Sequence, residues 1–151
     1  MKRTLCITPI LCIGLLFILT AAHAGFTLPY YVYRIDELEQ AQEEAKVNDS
    51  AIAIVYTDKN TNCGLATAAS LDVIQGLRDD SIIVYANRDS WAKIPTIVKR
   101  AINSPQAGRY IPKTVIVDSE IERVICIIPY ARDANNRKDL LGEARNLISA
   151  N

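Results

Sequence analysis

The chain has 151 residues, half of them apolar and 23% charged, which suits one domain with a buried core and excludes a disordered polymer. Seventeen basic residues cancel seventeen acidic ones, so the charge footprint of a nucleic-acid binder is absent. The only histidine, His23, falls in the leader described next, which removes Ser-His-Asp catalysis, Cys-His catalysis and His-ligated metal sites from the remainder.

Residues 1–24 combine Lys2 and Arg3 with an apolar stretch and end in Ala22-His23-Ala24, small residues where a signal peptidase requires them. The pattern predicts cleavage before Gly25 and export, to a periplasm or outside the cell, with no stable membrane insertion afterwards. The alternative is an uncleaved anchor over residues 5–22. Cleavage leaves one domain, residues 25–151, with 15 basic residues against 17 acidic ones.

The aromatic, β-branched run Tyr30-Tyr31-Val32-Tyr33 predicts a first strand. Asp36 then stands where an N-cap belongs, and Leu38, Ala41 and Ala45 follow at helical spacing for about three turns. Glu37, Glu39, Glu43 and Glu44 form its solvated face. Asn48-Asp49-Ser50 breaks that helix. Residues 51–56 are an unbroken apolar run, the mark of a strand covered on both faces. After a polar loop, a second helix over residues 65–77 opens directly behind Cys63-Gly64, and Asp79-Asp80 reads as a solvated turn. Residues 81–86 give another buried strand. Trp91, Ile94, Val98, Ala101 and Ile102 trace a helical face that Pro95 either bends or starts late. Residues 114–117 and 121–128 read as two strands joined by Asp118-Ser119-Glu120, too short a link for a crossover, so they pair antiparallel. A last helix, capped by Asn136, carries Leu140, Leu141, Ala144, Leu147 and Ile148 as its apolar stripe. The order predicts an α/β fold: a mixed sheet of about five strands, helices on both faces and an antiparallel C-terminal hairpin.

Two local features sharpen this. Asn62-Cys63-Gly64-Leu65-Ala66 lies between the central strand and the second helix, and Ile111-Pro112-Lys113 lies just before the fourth strand, with 49 residues from Cys63 to Pro112. With the element order, they make residues 25–151 resemble the thioredoxin-like superfamily, where a Trp-Cys-Gly-Pro-Cys motif and a cis-proline occupy those places. The resemblance implies a three-layer sandwich and a cis bond before Pro112. It also implies a groove between Cys63 and Ile111-Pro112, formed by Asn62, Gly64, Tyr110, Ile111, Pro112 and Lys113, that takes an extended peptide or an exported protein partner and needs no cofactor. Read from the residues alone, Ile111-Pro112 is equally an ordinary trans bond opening a strand.

The departures from that family carry the functional argument. Dithiol exchange needs a second thiol to resolve the mixed disulfide, and Ala66 stands in its place. Asn62 replaces the tryptophan, Leu65 replaces the proline, and the buried carboxylate six residues before the first cysteine becomes Thr57. Dithiol oxidoreductase activity is therefore not expected. Three readings stay open. One is a binding module using the groove, with Lys59, Asn60, Asn62, Arg109, Tyr110 and Lys113 as a mildly basic rim. A second is a monothiol redox protein, since the helix N-terminus behind Cys63 offers partial positive charge and free N–H groups to a thiolate. In the third, a secreted structural domain is stapled by a Cys63–Cys126 disulfide. For Cys126 itself, set among aliphatics in Val124-Ile125-Cys126-Ile127-Ile128, the expected state is a buried free thiol.

Overall fold

The computed structural model describes residues 25–151, so the leader expected over residues 1–24 lies outside the described residues. Five strands form one mixed sheet: β1 (Tyr33–Arg34), β2 (Ala51–Tyr56), β3 (Ser81–Ala86), β4 (Lys113–Val117) and β5 (Val124–Ile128), in the order β1-β3-β2-β4-β5. β3 runs parallel to both β1 and β2, β4 is antiparallel to β2, and β5 is antiparallel to β4. Four helices, α1 (Leu38–Val47), α2 (Gly64–Gly76), α3 (Thr96–Ile102) and α4 (Ala134–Ser149), cover the two faces.

Strand alternation sorts the apolar side chains into two cores. Ala51, Ala53 and Val55 meet Val73, Ile74 and Leu77 under α2, together with Leu141 and Ala144 of α4. Ile52 and Ile54 meet Ala41 and Ala45 of α1 and Val98, Ala101 and Ile102 of α3. β2 is buried along both faces because each carries a helix layer, which is why its sequence shows no polar alternation. Gly76 brings α2 close to α4: a Cβ there would lie 2.8 Å from Leu141 Cδ1.

Boundaries differ from expectation where side chains compete for backbone groups. The first strand is reduced to Tyr33–Arg34, because the N–H of Val32 turns back to the Pro29 carbonyl (3.1 Å) and keeps the preceding tyrosines out of the ladder. Asp36 does not cap α1. It sits inside a 3₁₀ turn, Ile35–Glu37, and pairs with Lys93 (2.9 Å), while the Glu37 carboxylate accepts the Arg34 N–H (2.8 Å). Pro95 starts α3 late and separates it from the Trp91–Lys93 turn. β5 begins at Val124 and not at Ile121, which has φ 58°, because the Asp118 carboxylate accepts the N–H groups of Glu122 (2.9 Å) and Arg123 (3.3 Å) and closes a tight turn.

Asp133, not Asn136, caps α4, its carboxylate accepting the N–H groups of Asn135 and Asn136. Leu147, expected in the apolar stripe, is 49% exposed. Asp133→Ala should therefore cost about 1 kcal/mol in urea unfolding, whereas Asn136→Ala should stay within about 0.5 kcal/mol of the parent.

Candidate functional site

The candidate site lies where β2 and β3 end and β4 begins, since the C-terminal ends of neighbouring parallel strands leave a crevice in an α/β sheet. The β2–β4 ladder stops at Tyr56 paired with Lys113. One step beyond it, the chain leaving β2 passes the Ile111-Pro112 bond, which is cis. Pro112 is buried, Ile111 is half-buried, and Tyr110 is 70% exposed with its ring edge-on to Tyr130 at 6.2 Å. No backbone hydrogen bond among the described residues engages Arg109, Tyr110 or Ile111, so their N–H and C=O groups are available to a ligand.

The loop from β2 to α2 holds its shape through local polar contacts. Asn60 N–H donates to the Asp58 carboxylate (2.9 Å), Cys63 N–H donates to Thr61 Oγ1 (3.2 Å), and the Lys59 carbonyl accepts from Phe26 N–H (2.9 Å). Cys63 is the exposed N-cap of α2 and its thiol makes no capping hydrogen bond. Around it Asn62 and Gly64 are exposed, and Leu65 is 44% exposed.

Beneath Cys63 the surroundings are neutral. Ala66 is buried at 6% exposure, with a methyl group where dithiol chemistry requires a thiol. Thr57 and Ser70 are buried with hydroxyls 2.8 Å apart, and Ser70 Oγ donates to the Ala66 carbonyl (2.8 Å). The single Ser70 proton is committed there, so Thr57 donates to Ser70. The chain of hydroxyls ends on a backbone oxygen and contains no group that accepts a proton at neutral pH.

The two described thiols are free, so the Cys63–Cys126 disulfide named among the sequence expectations is not formed. The register explains why. Cys126 stands opposite Ile116, which pairs in turn with Ala53, two strands across and three residues short of the end of β2, whereas Cys63 lies beyond that end. Two strand spacings of about 4.8 Å already exceed the Cα separation a disulfide spans. Burial pushes the Cys126 thiol from its ordinary value of 9.0 up to about 11.

An alkylating reagent at neutral pH should therefore modify one thiol in the native form of residues 25–151, at Cys63, and two after denaturation, counted by intact mass. The folded state holds the Cys126 proton more tightly than the unfolded state does. The stability this supplies is complete below about pH 9 and is lost as pH rises toward about 11.

Two cavities flank Ile111. One, of about 360 Å³, lies between Asp58 and Asn60 of the first loop and Asn87, Arg88 and Asp89 after β3. The other, of about 470 Å³, is bounded by Tyr56, Trp91, Arg88, Arg109 and Lys113. Of the expected groove residues, Ile111 and Lys113 line these cavities. Asn62, Cys63, Gly64, Tyr110 and Pro112 line neither.

Arg88, Asp89 and Trp91 were not anticipated as site residues. The available signal was their position in the loop after a parallel strand, at the same end as the Cys63 loop. Among the described residues no cluster of three or more metal-ligating side chains occurs, and no helix is long and apolar enough to cross a membrane. No family model matches the chain, nor does any curated protein or any solved structure.

Proposed function

We propose that this chain is an exported, thioredoxin-like binding module without dithiol turnover, which holds an extended peptide or protein segment along Tyr110-Ile111-Pro112. The observation carrying the reading is the backbone of Arg109, Tyr110 and Ile111, beside the crevice, which pairs with nothing else among the described residues. Free N–H and C=O groups along this bent stretch can take hydrogen bonds from a bound segment, and the exposed Tyr110 ring, edge-on to Tyr130, offers apolar contact beside them. Ala66 and the neutral Thr57–Ser70 pair support the absence of a resolving thiol and of its proton acceptor.

A random library of short peptides selected on the purified protein tests the reading. Binders should protect the Tyr110 and Ile111 amides from hydrogen exchange and lose affinity in Tyr110→Ala and Ile111→Asp. A library that returns no binder, or binders that protect a different surface, overturns it.

The exposure of Cys63 favours one further activity at the same place. Its thiolate attacks a partner disulfide, forms a mixed disulfide and releases the partner's other thiolate. With Ala66 behind it, only an external thiol completes the exchange. Failure of oxidised glutathione to add to Cys63 in the native protein removes this second reading.

A further inference from the structure

We propose that the bound segment presents a carboxylate side chain to the larger cavity beside Ile111, where Arg88, Arg109 and Lys113 receive it; this rests on the peptide-binding reading above. Three cations and no acid line that cavity. Six ion pairs form among the described residues, yet none uses these three, and the Arg88 and Arg109 guanidinium groups have no hydrogen-bond partner either. Lys113 Nζ donates to the Ile102 carbonyl (2.9 Å), which fixes the ammonium at the wall without neutralising its charge. Tyr56 and Trp91, edge-on to each other at 5.5 Å, complete an aromatic part of the lining. Guanidinium groups bind carboxylates through paired charge-assisted hydrogen bonds, and an apolar wall strengthens such bonds by excluding water.

The neighbouring cavity sharpens the preference. Asp58 and Asp89 line it, and it shares Tyr56, Arg88 and Ile111 with the larger one. Two acids and one cation line the smaller cavity against three cations in the larger, so the net sign of the charge reverses between the two cavities that meet at Ile111. A segment carrying an acidic side chain is drawn to the Arg109 end and repelled from the Asp58 end. Charge therefore fixes which of its residues lies over each cavity.

The selected peptides provide the test. They are expected to be enriched in Asp or Glu at one position, and replacing that residue by Gln should weaken binding about tenfold at low salt. Arg88→Glu/Arg109→Glu, with both changes at exposed positions, should weaken the acidic peptides by at least that factor and the Gln versions by clearly less. High salt applied to the unaltered protein should erase most of the acidic advantage, a measurement that needs no variant. Binders without charge preference, or affinities indifferent to salt and to the double substitution, overturn this inference and leave the peptide-binding reading intact. A library that yields no binder overturns that reading and this one with it.

Discussion

Ala66→Cys is expected to give the chain an internal disulfide that it otherwise has no means of closing. Cys63 is the N-cap of α2 and residue 66 is the third residue of the helix. Side chains three apart on a helix stand about 5–6 Å from one another at Cβ, and a modest rotation of the non-helical N-cap brings two sulfurs within bonding reach. Mild oxidation should remove two hydrogens from the variant and leave Cys126 as the only free thiol of residues 25–151, whereas the parent keeps both of its thiols. Intact mass with thiol counting reads the result directly.

Catalytic reduction of a disulfide substrate should be faster in that variant than in the parent, but still slow. The hydroxyls of Thr57 and Ser70 cannot accept the proton that the buried thiol must release. Adding Thr57→Asp should raise the rate further, at a cost in stability, because it places a carboxylate at a position that is 1% exposed. An Ala66→Cys variant that keeps three free thiols under oxidant would count against the start of α2 as described.

Ile54→Ala should be the most damaging of the simple truncations. Ile54 is fully buried at the centre of the sheet, flanked by Val84 of β3 and Val115 of β4 and packed under α1 and α3. Removing its methyl groups from a site walled by backbone on two sides leaves a cavity that cannot collapse, at a cost of about 2–5 kcal/mol. A domain of this size has about 5–15 kcal/mol in all, so the variant should be partly unfolded at modest temperature. The urea midpoint should fall with an unchanged slope. Val47→Ala, at a residue 85% exposed, should move the midpoint by no more than about 0.5 kcal/mol equivalent.

The alternation of apolar runs with helical stripes made the sheet-and-helix order readable from sequence, and the link after Val117, read as three residues and in fact residues 118–123, is still too short for a crossover, so β4 and β5 pair antiparallel. Local side-chain competition was not readable in the same way. Asp118 and Asp133 each capture two backbone N–H groups, and which acid of a polar cluster does so depends on the direction in which the chain arrives. Asp36 looked like a cap and is instead held by Lys93, 57 residues further along the chain. At the candidate site, Cys63 and Ile111-Pro112 were singled out by the resemblance of their motifs, in this element order, to the thioredoxin-like superfamily. Arg88 and Trp91 carry no motif, and they join the site only because β3 lies parallel to β2 and ends beside it.

The sheet also divides the interior into two compartments that share strands but no side chains. A void opened beneath α2, for example by Val73→Ala, is separated by a layer of hydrogen-bonded backbone from one opened beneath α3 by Val98→Ala. Neither can relax into the other. Energetic costs on opposite faces should simply add, while costs on the same face should couple. This makes the central sheet a thermodynamic insulator: sequence drift in the layer of α1 and α3 leaves the packing under the N-terminus of α2 undisturbed.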